Sequence, residues 1–517
     1  MTAPVPLLPA PEERLTRYGQ LRDRVLLDPD WRRSVRWLAP LVVTAIAAVL
    51  RLINIGHPHQ LAFDETYYVK DAWSLWTLGY EGTWGEGAND AFVTLQQLPL
   101  SEQGSFIVHP PLGKWLIALG MAIGGPDNSA GWRLATALLG TASVLLVYLI
   151  ARLLSGSIVV ATVAGTLIAL DGLSIVLSRI ALLDGILTFF VLLGVLFVLL
   201  DRRRTIPLLE RADPDAPDPF WGPILWRRPW LIAAGLALGA ACAVKWSGLY
   251  VLAAFGLYVV VTDALARRRA GVVLWPSDAA FRQGPVSFLL LVFPALAVYL
   301  ISWTGWFVTA GGYDRQSDAN PLVALWKYHQ SMLGFHVGLN RGHPYASPAW
   351  EWTFLLRPTA VWVGTDPASC GVDHCMAVIS AVPNPLIWYA GVAAAVFLLF
   401  LLVRGWIRRQ PVGPEISVPL VGLAATYIPW LLFPERTIFQ FYTVVMVPFL
   451  VIALAMTLRV IAGRREDPLY RRQSGERTVI IFLAFVVLVS AFFYPLWAGI
   501  SVPYEFWRLH NWLPGWV

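Results

Sequence analysis

The chain has 517 residues, of which 57% are hydrophobic and only 14% are charged, with a formal net charge of +6. Soluble chains average about 25% charged residues, so hydrocarbon must solvate much of this surface. The basic residues stand in short clusters between apolar runs, as orientation signals do, and this pattern excludes nucleic acid as a partner. The composition indicates a polytopic membrane protein.

The N-terminal segment, 1–36, is polar and lacks the short apolar core and small-residue cleavage site of a signal peptide. We expect it to be cytoplasmic and to precede an uncleaved first span. The apolar runs predict about eleven helices, because only helices and closed barrels satisfy the backbone in hydrocarbon and these runs are too long for barrel strands. The predicted spans are 37–55, 132–153, 157–175, 183–200, 230–244, 247–264, 285–303, 385–404, 416–433, 437–458 and 478–498.

Arginine clusters predict the orientation of these spans. With the N-terminus inside, alternate loops carry all of the clusters on one side, which the positive-inside rule makes cytoplasmic. The clusters are Arg202 to Arg204, Arg267 to Arg269, Arg404 with Arg408 and Arg409, and Arg464 with Arg465, Arg471 and Arg472. The predicted membrane domain, 37–500, then has two long outer loops, 56–131 and 304–384, and an extracytoplasmic tail, 501–517.

Two adjacent carboxylates, Asp64 and Glu65, stand in the first outer loop within the stretch LAFDETYYVK at 61–70. A carboxylate pair at a membrane surface favours acid–base chemistry, whereas the alternative is helix capping, since Asp is favoured at helix starts. Neighbours on a helix point about 100° apart, so both side chains cannot meet one substrate equivalently. We therefore expect one base and one supporting residue.

Further ionisable residues interrupt the apolar pattern at the predicted outer ends of helices. They are Lys114, Arg133, Asp171, Arg179, Asp184, Lys245, Glu435 and Arg436. Such groups usually face a cavity or a partner, and the alternatives are snorkelling or mutual pairing, such as Arg179 with Asp184. Several cations beside a carboxylate predict a site for an anionic ligand, for example a polyprenyl phosphate sugar. Breaking its sugar–phosphate bond requires a general base and cations that stabilise the departing phosphate.

Six sequence blocks, in order, resemble the protein O-mannosyltransferases. The blocks are FDE at 63–65, HPPLGK at 109–114, SRIALLD at 178–184, VKWSGLY at 244–250, KYHQSMLGFHVGL at 327–339 and HPY at 343–345. The resemblance implies an all-α glycosyltransferase C architecture and transfer of mannose, with inversion, from a polyprenyl monophosphomannose to Ser or Thr of secreted proteins. It also implies that Asp64 is the base and that Glu65 helps to shape the acceptor site.

The resemblance implies roles for the other matched residues. Arg133 is expected to contact the donor phosphate, because a guanidinium can bind phosphate through two parallel hydrogen bonds. Further candidates for this contact are Lys245, Arg179 and Arg436. The residues expected to bind substrate or support the site are His109, Lys114, Asp184, Trp246, His343 and Tyr345.

The outer loops carry three further signals. His109-Pro110-Pro111 predicts an interfacial helix over 112–123, because proline suits a first turn and the apolar run is too short to span. Cys370 and Cys375 lie in the second outer loop, where a disulfide is predicted and two free thiols are the alternative. His329, His336 and His343 match no established metal spacing, so no metal site is predicted. We expect no cofactor to be required, and a requirement for a divalent cation such as Mg²⁺ stays open.

The second outer loop is too short for the β-trefoil MIR module of fungal and animal relatives, so the chain resembles compact bacterial, particularly actinobacterial, members. The expected partners are the bilayer, a polyprenyl-phosphate-mannose donor, secreted acceptor proteins and the secretion translocon, in a plasma membrane. One alternative is a related enzyme that moves a sugar to lipid or cell-wall glycan. Another is a transporter or channel, which would place charges near the bilayer midplane and often shows an internal repeat.

Overall fold

The computed structural model describes residues 20, 29–210, 220–364, 368–464 and 466–516. Most of the predicted cytoplasmic segment 1–36, and Arg465 of the fourth arginine cluster, lie outside these described residues. Within them the chain forms a bundle of helices with three small antiparallel sheets of two strands each.

The α-helices follow one another with short connections over most of the described chain. In chain order they are α1 (Pro29–Leu52), α2 (Glu65–Leu78), α3 (Ala88–Thr94), α4 (Leu112–Gly124), α5 (Ser129–Ser155), α6 (Ile158–Leu170), α7 (Gly172–Arg179), α8 (Leu183–Glu210), α9 (Pro229–Val244), α10 (Gly248–Arg269), α11 (Trp275–Ser277), α12 (Gly284–Ser302), α13 (Thr304–Val308), α14 (Pro321–Gly338), α15 (Ala349–Trp352), α16 (Pro385–Ile407), α17 (Pro414–Leu431), α18 (Val447–Ala462), α19 (Leu469–Ala498) and α20 (Tyr504–Arg508). A π-helical turn, Asp278–Gln283, joins α11 to α12, and 3₁₀ turns occupy Gln440–Val445 and Pro514–Trp516.

Seven of the described helices are long and apolar enough to cross a membrane by themselves, and α6 with α7 would make an eighth span bent by 59°. Each of the eleven predicted runs overlaps a helix, or in the case of 157–175 the two helices α6 and α7, which confirms the all-α membrane architecture. The number eleven is not confirmed, because α9 and α18 have only 16 residues each and α17 has 18, whereas a span needs roughly 20. The predicted run 437–458 also begins too early: α18 begins at Val447, where Pro448 suits a first helical turn.

Two glycines one turn apart bring α9 and α12 into close contact. A Cβ on Gly235 would lie 2.3 Å from the carbonyl oxygen of Leu291, and a Cβ on Gly239 would lie 2.5 Å from the Cα of Ala295. Small residues at this spacing allow helix backbones to approach each other within a membrane. The close packing fixes α9, whose C-cap residue is Lys245.

The segments between the spans carry the sheets and the shorter helices. The strands are β1 (Gly82–Trp84), β2 (Leu100–Gly104), β3 (Thr359–Val363), β4 (Cys375–Met376), β5 (Val378–Ala381) and β6 (Val502–Pro503), paired β1–β2, β3–β5 and β4–β6. The last pairing attaches the C-terminal tail to the loop that contains the Cys370–Cys375 disulfide. Helix α4 lies where the interfacial helix was predicted.

Candidate active site

The adjacent carboxylates of Asp64 and Glu65 occupy different environments at the start of α2. Asp64 is the N-cap residue and is partly exposed, and the hydroxyl of Tyr68, one turn later, donates to its Oδ2 at 3.5 Å. Glu65 is fully buried and accepts hydrogen bonds of 2.8 Å from the backbone N–H groups of Ala62 and Ala181. One carboxylate is therefore available to a ligand, and the other is enclosed by the protein.

All of the N–H donors of the Arg133 guanidinium form hydrogen bonds within the protein. It donates two hydrogen bonds of 2.8 Å to Glu65 and three more to the carbonyl oxygens of Ile55, Pro58 and Gln60. A guanidinium has five N–H donors, so none is left for a ligand, and the side chain is fully buried. The predicted contact between Arg133 and the donor phosphate therefore does not fit this geometry. Arg133 instead fastens Glu65, and with it the first turn of α2, to the preceding loop.

Arg179 is also occupied by protein contacts. Its Nη1 and Nη2 atoms donate to the carbonyl oxygens at the end of α1 and just beyond it, namely those of Leu50, Arg51, Ile53 and Asn54. Helix C-termini leave carbonyls without partners, and a cation there is favoured. Among the described residues Arg179 does not form the pair with Asp184 that was the alternative to a ligand contact. A phosphate contact through Arg179 would compete with four carbonyl oxygens.

Lys114 is also occupied by contacts within the protein. Its buried ammonium donates to the carboxylate of Glu81 and, at 3.2 Å, to the carbonyl oxygen of His109. The His109 ring lies 6.1 Å from that of Tyr68, and its buried Nδ1 has no hydrogen-bond partner among the described residues. Lys114 thus holds the loop that places His109 near Tyr68.

Lys245 and Asp184 form a buried ion pair between the end of α9 and the start of α8. The Lys245 ammonium lies 2.9 and 3.0 Å from the two carboxylate oxygens and 4.1 Å from the centroid of the Tyr442 ring. The charges of Lys245 and Asp184 both affect the pKa of Asp64. Burial raises the pKa of Asp64 to about 6, while Lys245 opposes this rise and Asp184 adds to it. A carboxylate with this pKa is ionised at neutral pH and is a stronger base than an ordinary Asp.

Arg436 is the predicted phosphate ligand that keeps hydrogen-bond donors available. Its Nη2 donates to Nδ1 of His336 at 3.1 Å, and its guanidinium carbon lies 5.4 Å from the centroid of the Trp430 ring. Its Nε is buried and has no partner among the described residues, although the side chain as a whole is partly exposed. Arg436 can therefore still bind an anion.

Trp246 and the histidines form a network of rings with defined hydrogen bonds. Trp246 Nε1 donates to the Tyr299 hydroxyl at 2.9 Å, which is 2.6 Å from Nε2 of His329. The Trp246 ring also contacts that of His336, with centroids 5.6 Å apart. His343 lies outside this network. Its ring is 4.9 Å from that of Phe439 and 5.9 Å from that of Phe63, the residue before Asp64, and its Nδ1 accepts from the backbone N–H of Tyr345. The described residues contain no group of three or more metal-ligating side chains that could hold an ion.

An apolar groove runs between α8, α10 and α17. Asp184 and Tyr442 line one part of it, and the apolar lining comes from Leu187, Val191, Val251, Ala425 and Val445. The groove is small, and it places the polar groups of Asp184 and Tyr442 next to apolar side chains.

Comparison with known proteins identifies the family. Residues 127–310 match the family described as dolichyl-phosphate-mannose-protein mannosyltransferase, and residues 321–516 match the C-terminal four TMM region of protein-O-mannosyltransferase. A polyprenol-phosphate-mannose–protein mannosyltransferase of Mycolicibacterium smegmatis (strain MKD8) is 33% identical over 100% of this chain and 97% of its own length. The chain belongs to the protein O-mannosyltransferase family.

Other members of the protein O-mannosyltransferase family support the same assignment. The polyprenol-phosphate-mannose–protein mannosyltransferase of Mycobacterium tuberculosis (strain H37Rv) is 34% identical, over 93% of this chain and 92% of its own. The S. cerevisiae protein O-mannosyltransferase complex bound to its sugar donor superposes with a TM-score of 0.72 at 16% identity, covering 93% of this chain and 92% of that one. These findings confirm the predicted family, glycosyltransferase activity and glycosyltransferase C fold.

Sequence reasoning missed several residues of this candidate protein O-mannosyltransferase site. Tyr68 lies four residues after Asp64, and the helical i, i+4 spacing could have revealed their contact. Tyr442 gave no such signal, because an aromatic residue in an apolar run is ordinary in a membrane protein. The contact of His336 with Arg436 joins positions 100 residues apart, and no local pattern reports it.

Proposed function

We propose that this chain transfers mannose from polyprenyl monophosphomannose to Ser or Thr hydroxyls of secreted proteins, with inversion at the sugar carbon. The observation that carries the proposal is the grouping of a partly exposed carboxylate, Asp64, with the buried Lys245–Asp184 pair beside an apolar groove. The names of the mycobacterial relatives, which specify polyprenol-phosphate-mannose, support the donor.

Asp64 is the general base in this proposal. It takes the proton of the acceptor hydroxyl while that oxygen attacks the anomeric carbon of mannose, and the bond from this carbon to the phosphate oxygen breaks. The polyprenyl phosphate leaves with the bonding electron pair. A phosphate is a capable leaving group without protonation, so a single carboxylate suffices, unlike the two opposed carboxyls of a glycosidase.

Two cations stabilise the departing phosphate. Arg436 supplies a guanidinium whose Nε–H has no partner among the described residues, and Lys245 supplies a buried positive charge near Asp64. Preorganised charge of this kind acts most strongly where phosphate gains charge in the transition state. Glu65 and Arg133 position Asp64 and do not touch the substrates.

No cofactor is needed in this proposal, because Arg436 and Lys245 provide the positive charge. Transfer by the purified protein should therefore continue in excess EDTA. Transfer that stops in EDTA and resumes on addition of Mg²⁺ would overturn this part of the proposal.

The decisive experiment reconstitutes the purified protein with polyprenyl monophosphomannose, labelled in the sugar, and a Ser/Thr-rich peptide. We expect labelled peptide whose anomeric configuration is opposite to that of the donor, and no labelled peptide from Asp64→Asn, which should still bind donor. The alternative, a sugar transfer to lipid or cell-wall glycan, is tested by offering those acceptors in the same mixture. Label that enters only the glycan or lipid fraction would refute protein mannosylation.

The location of the site is the last part of the proposal. We place Asp64 at the outer face of the plasma membrane, as the predicted arginine distribution requires. In cells, a membrane-impermeant thiol reagent should label Asp90→Cys, an exposed position of the first outer loop, but not Arg409→Cys. Acceptors would meet the site unfolded, during export, so mannosylation that survives a complete block of the translocon would contradict this coupling.

A further inference from the structure

Arg436 is held by a neutral acceptor and not by a carboxylate. The structure gives Arg436 no ion pair among the described residues, and its contact with a side-chain acceptor is the 3.1 Å hydrogen bond to Nδ1 of His336. A carboxylate at this position would orient the guanidinium but would also neutralise its charge. A neutral imidazole fixes the direction of the guanidinium and leaves the full positive charge for a ligand.

The hydrogen bonds of His336 define its tautomer. Nε2 lies 2.8 Å from the carbonyl oxygen of Val108, which can only accept, so Nε2 carries the proton. Nδ1 is then the acceptor that Arg436 requires. Burial lowers the pKa of His336 to about 4, and the Val108 carbonyl opposes this shift while Arg436 and Lys245 reinforce it. The ring is therefore neutral at neutral pH.

Packing fixes the plane of the His336 ring. Its centroid lies 5.3 Å from that of His109 and 5.6 Å from that of Trp246. These rings come from the loop before α4 and from the loop after α9, where Trp246 follows Lys245. Two loops therefore pack against the His336 ring, which belongs to α14. The same ring accepts the hydrogen bond from Arg436.

We propose that His336 is a positioning residue that orients Arg436 toward the phosphate of the lipid donor. This inference rests on the proposed function, because it takes Arg436 as a phosphate ligand. His336 itself does not touch the reacting atoms. Its loss should raise the KM for the donor more than it lowers kcat.

The test compares three variants of the full-length protein in the mannose-transfer assay. His336→Ala should raise the donor KM roughly tenfold or more, as expected when a charged ligand contact is weakened. His336→Asn keeps an acceptor near the position of Nδ1 and should restore most of the donor affinity. His336→Gln keeps a donor near the position of Nε2, toward Val108, and should resemble His336→Ala. If His336 only attached α14 to the Val108 loop, Gln would be the better replacement, and that order would overturn the inference.

A double-mutant cycle adds a second readout. In an Arg436→Ala background, His336→Ala should change the donor KM no further, because the two residues act through one contact. Multiplicative effects would show that His336 acts independently of Arg436 and would overturn the inference. Gln330→Ala, an exposed position on the same helix, is the matched control and should leave KM and the unfolding temperature unchanged. A wild-type protein that transfers no mannose would refute the proposed function, whereas an active wild type with equal Asn and Gln variants would refute only this inference.

Discussion

Arg133 and Glu65 are joined by two hydrogen bonds of 2.8 Å, from Nε to Oε1 and from Nη2 to Oε2, although they stand 68 residues apart in the chain. Both side chains are fully buried. The pair connects α5 to the first turn of α2, one residue away from Asp64. Its geometry gives two adjacent acids different environments: one is held by an arginine, and its neighbour, the proposed base, stays partly exposed.

Glu65→Gln should therefore destabilise the protein and reduce transfer together. Removing one partner of a buried ion pair costs about 3–5 kcal/mol, because the other charge stays buried without compensation. We expect a lower unfolding temperature in detergent and a lower kcat, since the turn that carries Asp64 loses its anchor. Arg133→Lys should give the same result, because one ammonium cannot replace five directed N–H donors.

Glu102→Gln, an exposed position in β2, provides the control and should change neither quantity. A Glu65→Gln protein with the unfolding temperature of the wild type but no transfer would contradict the positioning role. Such a result would make Glu65 a direct participant in the reaction.

The sequence predicted the acid pair and the family. It did not predict which basic side chains are occupied by contacts within the protein. Asp64 and Glu65 could be found because they interrupt an apolar pattern close to a predicted span. The assignment of Arg133 to phosphate did not anticipate that its partners include the carbonyl oxygens of Ile55, Pro58 and Gln60. Every residue has a carbonyl, so no sequence pattern shows where one lies close enough to occupy a guanidinium.

The helices were also predicted only in part. The apolar runs located the long apolar helices, because hydropathy over a span reports burial in hydrocarbon directly, but they did not include α14 (Pro321–Gly338), which lies within a predicted outer loop. The bend between α6 and α7 was missed, and so was the true start of α18 at Val447. Both depend on local backbone geometry inside an apolar run, where the composition does not change.

The rate of transfer should depend on the ionisation of Asp64. Burial raises the pKa of Asp64 to about 6, with Lys245 and Asp184 as the charged neighbours that lower and raise it, respectively. The base acts only when deprotonated, so kcat/KM should fall as the pH drops through about 6, approaching tenfold per pH unit below it. A pH profile of the rate at saturating donor and limiting acceptor peptide measures this kcat/KM.

Asp71 provides the control for the pH profile. Its pKa is raised by burial to about 7, so it titrates close to the range in which Asp64 does. Asp71→Asn should keep the acidic limb near pH 6 if Asp64 is the base. Loss of that limb in Asp71→Asn, or its persistence in the residual activity of Asp64→Asn, would assign the limb to another group.

Arg436→Ala should weaken donor binding. Hydrogen bonds to charged groups contribute roughly 1.5–3 kcal/mol, which corresponds to an increase in donor KM of about 10- to 100-fold. Arg436→Lys should recover part of this loss, since it keeps the charge but not the directed donors. Arg508→Ala, an exposed arginine of the C-terminal tail, is the control. An unchanged donor KM in Arg436→Ala would leave Lys245 as the phosphate-binding cation.

Gly239→Ala should destabilise the bundle although alanine is the better helix former. The new Cβ would lie 2.5 Å from the Cα of Ala295, and overpacking of this kind typically costs about 1–3 kcal/mol. Gly256→Ala is the matched change in α10, where the nearest atom is a side-chain carbon of Leu291 at 3.4 Å. This variant should gain up to about 1 kcal/mol from helix propensity. Unfolding of both variants in mixed detergent measures the difference in their stability.

Gly239→Ala should also lower kcat, because α9 ends at Lys245. Equal stability and activity in both variants would show that α9 and α12 can separate without disturbing the site.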